Sequence, residues 1–373
     1  MTEDLHRMYL APEDPRHRDI DDFYASVNRF NATFQEGAIF NEYTNQHRRR
    51  GRGVVYEGED GLFSQSWFPI CRSSEVPPMS AVARGFLDGQ VAVFRGENGR
   101  ASVVSAYCPH LGAHLGSGRV IGNEVECPFH RWSFDQDGQC TRTGCGDPVP
   151  RGAGVLKYPT VERFGLIWAF NGETPTWELP DMGAPDDDLV FHPEILHVDI
   201  NNDPWVTMAN TFDWNHFEAV HGLRYDISDE SVNWTPHSAW FHIDAEMPTM
   251  PGLKVSYDIG IWGTSIFRQH GWFGDRWFAY MAPVGIPRPG ISRAYFVIAA
   301  RKGDGTPEDE ARVRDCLDTG LALEKMIVGQ DVPILNFARF SRGLLTKKDR
   351  MLVRFLEHVR KFPRAHPGAG LIS

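Results

Sequence analysis

Within twelve residues, the stretch Asn210-Thr-Phe-Asp213-Trp-Asn-His216-Phe-Glu-Ala-Val-His221 places two imidazoles and a carboxylate, and Gly222 follows. Imidazole nitrogens and carboxylate oxygens are common ligands of zinc and non-haem iron. On a regular helix, at about 100° per residue, the five-residue step from His216 to His221 sets the two side chains about 140° apart. They can share one ion only if the helix distorts or ends before His221, and Gly222 is a residue at which a helix can end. The alternative is a pair of core histidines satisfied by hydrogen bonds.

A second group lies upstream: Cys108-Pro-His110 and, after sixteen intervening residues, Cys127-Pro-Phe-His130. Two loops that each offer one thiolate and one imidazole suit a [2Fe–2S] centre with two cysteines on one iron and two histidines on the other. Zinc is the competing reading, but zinc modules usually draw two cysteines from one knuckle and close all four ligands on one ion. Gly112, Gly116 and Gly118, with the proline after each Cys, suit tight loops whose N–H groups face bridging sulfides. Cys140 and Cys145 do not fit the ligand spacing and read as structural.

The elements that must position these groups change character along the chain. Residues 1 to about 60 are polar with scattered aromatics such as Phe23 and Phe34, suggesting a helical or irregular extension packed on the larger body. From 61 to 174, short runs such as Val91-Ala-Val-Phe and Ser102-Val-Val-Ser alternate with turn glycines, the texture of a small all-β domain. A Pro-rich connector follows, and 175–373 reads as a mixed second domain. There, Asp203-Pro204 should cap and start a helix running to Gly222. Four antiparallel strands are expected around 239–244, 253–257, 276–280 and 293–298. Thr306-Pro307-Glu308-Asp309 should open a long helix that approaches Asp331 before Pro333 disturbs it. A final helix over 347–362 carries an apolar stripe of Met351, Leu352, Phe355, Leu356 and Val359. Five of the eleven tryptophans fall between 234 and 277, weakly favouring a bulky apolar substrate. Arg268 and His270 could orient a polar group, although a surface or strand-end position is the expectation for both.

The chain has 373 residues, 42% apolar and 23% charged, enough for two cored domains. A net charge of −11 argues against a nucleic-acid binder, and the one basic run, Arg48-Arg49-Arg50-Gly51-Arg52, reads as a solvated loop. No apolar run approaches the ~20 residues of a membrane span, and Met1-Thr-Glu-Asp-Leu-His lacks the features of a signal peptide. Six cysteines without an export signal suggest reduced thiols or metal ligands, hence a cytoplasmic protein.

The two Cys-x-His motifs resemble the Rieske fold. Respiratory-chain Rieske proteins add a disulfide-forming cysteine to each loop, where this chain has Ala113 and Phe129. Asp213-x₂-His216-x₄-His221 in turn resembles the iron motif of Rieske non-haem iron ring-hydroxylating oxygenases. The likeness runs from about Ser66 to Asp331, and Asn210 sits where that family often has a polar residue. It implies an α+β fold: a β-rich Rieske domain plus a helix-grip-like catalytic domain, a curved antiparallel sheet covered by helices. The cofactors implied are a [2Fe–2S] cluster on Cys108, His110, Cys127 and His130, and a mononuclear Fe(II) on His216, His221 and a carboxylate from a later helix. Asp331 is the best placed, with Asp315 and Asp318 as rivals. Asp213 would bridge His216 to a cluster histidine of a neighbouring subunit in a head-to-tail homotrimer, closed as heterologous contacts can be.

No dinucleotide fingerprint is present, so a separate NAD(P)H- and flavin-using reductase, with or without a ferredoxin, would supply electrons. The length and C-terminal helix are similar to the homotrimeric monooxygenase branch that acts on steroids, arylamines or natural-product scaffolds. The resemblance therefore implies O₂-dependent oxidation, foremost hydroxylation, of a bulky apolar small molecule. Desaturation, N-oxidation or oxidative cyclisation stay open, as does a non-catalytic electron-transfer protein.

Overall fold

A computed structural model describes residues 54–223, 225, 227–246, 252–336, 338 and 344–373. Most of the expected N-terminal extension, with the basic run at 48–52, lies outside the described residues.

The first half is built of short antiparallel strands. Val91, Val93, Val103 and Val104 are fully buried, so strands Gly89–Arg95 and Ala101–Ser105 bury both faces. With Ser80–Phe86 and Lys157–Tyr158 they make one four-stranded sheet, while Thr160–Arg163, Leu166–Phe170 and Trp67–Arg72 make a second. A separate ribbon joins Arg119–Ile121, Glu124–Glu126, Ser133–Phe134 and Cys140–Arg142. Cys108 and Cys127 sit in the small core of this region with Phe94, Leu115, Val125 and Phe134, so both thiols are anchored by packing.

The second half is organised by one eight-stranded antiparallel sheet. Its strands are β1 (Leu189–Phe191), β2 (Leu196–Ile200), β3 (Asn233–Trp234), β4 (Ser238–Glu246), β5 (Lys254–Trp262), β6 (Ile266–Phe273), β7 (Arg276–Arg288) and β8 (Ile291–Arg301). The order is β1-β8-β7-β6-β5-β4-β3, with β2 also paired to β8. One face carries helices α1 (Pro204–Ala209), α2 (Trp214–His221), α3 (Pro307–Leu335) and α4 (Arg350–Lys361) over a core including Phe212, Phe241, Ile298 and Phe355. The opposite face is closed by the first half and the connector, where Trp67, Trp168, Phe170 and Trp177 pack with Trp277, Met281 and Val297. The five-residue apolar stripe foreseen for α4 is buried, each such side chain contributing about 1.5–3 kcal/mol.

Several expectations are corrected. The single helix from Asp203 to Gly222 is two: α1 runs into a 3₁₀ turn over Asn210–Phe212, and Asp213, at φ −101° and ψ 90°, starts α2 anew. Asp203 makes no side-chain cap, its carboxylate accepting instead from the Glu57 backbone N–H and the Trp205 indole. α3 passes Pro333 and continues to Leu335. Of the eight strands, β1, β2, β3 and β6 were not foreseen; β6 escaped because its two faces serve different surroundings, so Ile266-Phe-Arg-Gln-His270 shows no clean alternation. Arg268 and His270 face away from the helices. Arg268 is buried, with its guanidinium over Trp262 at 4.2 Å and Nη1 donating to the Asp181 carboxylate at 2.9 Å. The tail also returns to the first half: Arg364–Ala365 pairs with Phe63–Ser64, and Ile372 enters the core beside Phe86 and Val91.

Candidate active site

The two Cys-x-His loops fold alike although their sequences differ. In the first, the Cys108 N–H donates to the Ala113 carbonyl and the Gly112 N–H to the Cys108 carbonyl, both at 2.9 Å. In the second, the Cys127 N–H donates to Trp132 at 2.7 Å and the Arg131 N–H to Cys127 at 3.2 Å. Both turns need a left-handed residue four places after the cysteine, Gly112 at φ +75° and Arg131 at φ +60°. Glycine takes that conformation freely; arginine does so at a cost of about 1–2 kcal/mol.

The result is a bipartite site with buried thiols and outward imidazoles. Burial pushes the Cys108 thiol up to about 11, and nearby Cys127 acts in the same direction, so two thiolates here require a strongly positive group between them. The His110 and His130 rings lie 4.6 Å apart, and His110 stacks on Trp132 at 4.7 Å. Among the described residues, no side chain hydrogen-bonds either imidazole. Leu111 and Phe129 beside them are 65% and 61% exposed. This donor set fits a two-iron cluster with soft ligands inside and nitrogen ligands outside. Cys140 and Cys145 take no part, with Cys145 exposed.

The second site forms where α2 meets α3. Asp213 caps α2, its Oδ1 accepting from the Asn215 and His216 backbone N–H groups at 3.1 and 3.0 Å. His221 is the last helical residue and Gly222 follows at φ +71°, as the glycine suggested. The helix neither distorts nor stops short of His221. The imidazoles nevertheless converge, their Nε2 atoms 3.0 Å apart.

Asp331 Oδ1 approaches to 3.0 Å from His216 Nε2 and 3.3 Å from His221 Nε2. Despite those distances it receives no hydrogen bond of acceptable geometry. Gln330 Oε1, 2.8 Å from His221 Nδ1, can only accept, so the hydrogen sits on Nδ1 and Nε2 presents a lone pair. Two imidazole nitrogens and a carboxylate oxygen, from His216, His221 and Asp331, thus lie within 4.8 Å of one another, the donor types and spacing that suit a single cation. Burial acts to raise the Asp331 carboxyl, but His221 and His216 outweigh it and hold it well below the usual carboxylate range. The rival aspartates are elsewhere: Asp315 pairs with Arg276 at 2.8 Å, and Asp318 is beside His192 at 3.5 Å.

These donors open into a largely apolar pocket between the sheet and α3. Of the aromatic side chains between 234 and 280, Phe267, Trp272, Phe273, Phe278 and Tyr280 line it with Tyr257, joined by Tyr225. Trp277 belongs instead to the core on the opposite face of the sheet, Trp262 packs on that core, and Trp234 stacks near Phe212. Asn210 and Thr207 reach the pocket from α1 and the 3₁₀ turn. Arg268 and His270 do not line it, and burial lowers His270 to about 4.

Residues 66–158 match the Rieske [2Fe-2S] domain family. The chain carries a Rieske domain and is a relative of the Rieske oxygenases. It is similar to cholesterol 7-desaturase nvd of Bombyx mori, 37% identical over 221 residues covering 53% of this chain and 48% of that protein. Aminopyrrolnitrin oxygenase PrnD of Pseudomonas fluorescens is 33% identical over 170 residues, covering 42% and 46%. The chain thus spans about half the length, or less, of the curated relatives it matches. Among solved structures, NdmA of Pseudomonas putida CBB5 with caffeine aligns at a TM-score of 0.64 and 18% identity, covering 79% of this chain and 89% of that one. Dicamba monooxygenase bound to dicamba aligns at 0.56 and 20%, covering 81% and 98%. The fold is that of Rieske oxygenases: a Rieske domain joined to a sheet-rich catalytic domain. Rieske oxygenases use a [2Fe–2S] cluster and a mononuclear iron, and the two donor sets above fit those groups. No described helix is long and apolar enough to cross a membrane.

Four residues of this site escaped the sequence reading: Gln330, Glu324, Gln269 and Tyr257. Glu324 and Asp331 are seven residues apart, two helical turns, so their common face was legible in principle. Burial, with Asp331 adding to it, pushes the Glu324 carboxyl up to about 8, and Gln269 Nε2 donates to its Oε1 at 2.8 Å. Gln330 holds the His221 ring in place, so if His221 binds iron, Gln330→Leu is expected to weaken iron binding about 10–100-fold while cluster absorbance stays unchanged, as measured by metal titration of the purified protein.

Proposed function

We propose that this chain is the terminal oxygenase of a multicomponent Rieske system, using O₂ to oxidise a bulky apolar small molecule. The observation that carries the reading is the convergence of His216, His221 and the hydrogen-bond-free Asp331 Oδ1 on the wall of an apolar pocket, in a chain that also carries a Rieske domain. Cys108, His110, Cys127 and His130 would hold the cluster, and His216, His221 and Asp331 the single iron. When bound, these groups supply single-electron relay and dioxygen activation respectively.

The protein's own residues prepare the ground. Gln330 keeps the His221 hydrogen on Nδ1 so that Nε2 faces the ligand position. Phe267, Phe278 and Tyr280 line the pocket and give the substrate an apolar bed that excludes water. Asn210, also in the lining, would supply a polar contact to the substrate.

Exposed His110 and the half-buried Asp213 support a head-to-tail homotrimer in which one subunit's Rieske site meets its neighbour's α2. Both capping bonds of Asp213 fall on Oδ1, leaving Oδ2 without a hydrogen bond among the described residues. In the single chain Asp213 reaches His216 through its backbone N–H and not its imidazole, so the bridge would be completed in the oligomer. A separate reductase, with or without a ferredoxin, would deliver electrons at the Rieske surface. Hydroxylation is the foremost outcome, and desaturation by the same site is favoured by the relatives named as desaturases.

The test is iron content together with substrate-dependent O₂ uptake driven by NAD(P)H and a reductase, with products followed by mass spectrometry. About three irons per chain are expected. Two irons with full cluster absorbance would instead identify an electron-transfer protein.

A further inference from the structure

One polar group in the pocket has no part in the metal chemistry. α3 presents Leu323, Glu324, Ile327, Val328 and Asp331 to the pocket, a single face at three- and four-residue spacing. Leu323, Ile327 and Val328 are apolar, yet Glu324 stands among them only 3% exposed. No lysine, arginine or histidine pairs with it among the described residues. Its one hydrogen bond there is from Gln269 Nε2 to Oε1 at 2.8 Å, which ties the carboxyl to β6 and sets its orientation. Oε2 has no protein hydrogen bond among the described residues. Packing does not explain a carboxyl here, because a leucine would fill the wall without a buried polar atom to satisfy.

We propose that Glu324, held by Gln269, is the substrate anchor of this pocket: it hydrogen-bonds the hydroxyl of an otherwise apolar, polycyclic alcohol and thereby selects which carbon lies against His216, His221 and Asp331. The assignment rests on the oxygenase reading and adds to it the polar end of the substrate. Seven residues at 1.5 Å per residue separate Glu324 from Asp331 by about 10 Å along one helix face. The anchored hydroxyl and the oxidised carbon are therefore separated by on the order of 10 Å, the span of a rigid fused-ring system. A hydroxyl suits the site in either protonation state, since a carboxylate accepts its hydrogen and a neutral carboxyl can both accept and donate.

The experiment compares 5α-androstan-3β-ol with 5α-androstane, a pair differing only in the hydroxyl, by anaerobic calorimetric titration of the iron-loaded protein without reductant. Wild type is expected to bind the alcohol about tenfold tighter than the hydrocarbon, the scale of one well-made hydrogen bond. In Glu324→Leu the preference should collapse to about onefold, with hydrocarbon affinity unchanged or improved. Cluster absorbance together with retained hydrocarbon binding confirms that the variant is folded. Should Glu324→Leu lose that absorbance, Gln269→Leu, which leaves the carboxyl in place but unheld, must cut the preference at least about threefold. A preference that survives these substitutions overturns the proposal, as does an absent preference in wild type or failure of both probes to bind. Iron analysis on the same samples separates the two claims: a hydroxyl preference lost with Glu324 in a protein holding only two irons would uphold the anchor and overturn the oxygenase.

Discussion

An Asp331→Ala variant is expected to keep its cluster spectrum and lose the third iron, falling from about three irons per chain to about two, with substrate-dependent O₂ uptake dropping to background. The carboxylate contributes the only anionic ligand atom of the site, 3.0 and 3.3 Å from the two Nε2 atoms. Without it two neutral imidazoles remain, too few to hold a labile divalent ion against water. The Cys108 and Cys127 core is built by other strands, so the cluster should not respond. Asp315→Ala, on the same helix, serves as the control: it breaks an ion pair to Arg276 of β7 and is expected to leave iron content intact. Full activity in Asp331→Ala would move the third ligand elsewhere.

Asp213→Asn should separate electron transfer from both metal sites. Asparagine caps a helix about as well as aspartate, and its carbonyl oxygen can still accept from the Asn215 and His216 N–H groups, so the melting temperature should change little. What is lost is the negative charge that Oδ2 presents outward from the start of α2. Turnover is expected to fall about 10–100-fold with both metal sites loaded, the scale seen when a ligand-orienting carboxylate is removed. The decisive measurement is the single-turnover rate of cluster oxidation: a rate as fast as wild type would remove Asp213 from the electron path. Asp213→Ala makes a poorer probe, because loss of the cap costs a further ~1 kcal/mol and confounds a kinetic defect with a folding one.

The cluster loops were legible because their chemistry is local. Each ligand pair sits within a tight turn closed by its own backbone hydrogen bonds, so spacing carries the geometry. The same holds for α3 and α4, whose capping residue, proline at N1 and apolar stripe are read from neighbours three and four places away. β6 was harder. Its two faces meet different partners, the pocket on one side and the Rieske-facing core on the other, so Arg268 looked like a surface residue while in fact it lies under Trp262. The break at Asp213 was missed for a related reason: apolar residues continue across it, and only the extended backbone of Asp213 and its side-chain bonds to the Asn215 and His216 N–H groups show that the aspartate caps a new start.

By itself the sequence determined which residues could bind metal and in what pairs, together with the β-rich and helical halves that carry them, because those follow from residue type and short-range spacing. The sequence put Asp331 ahead of Asp315 and Asp318; the tertiary structure brings its carboxylate to His216 and His221 and sets Gln330 against one of the two. It also decided which tryptophans face the pocket, and that Glu324 is buried there beside Gln269. Helical and strand periods say which side chains share a face. What that face meets depends on elements tens to hundreds of residues away, and only the packed sheet and helices bring them together.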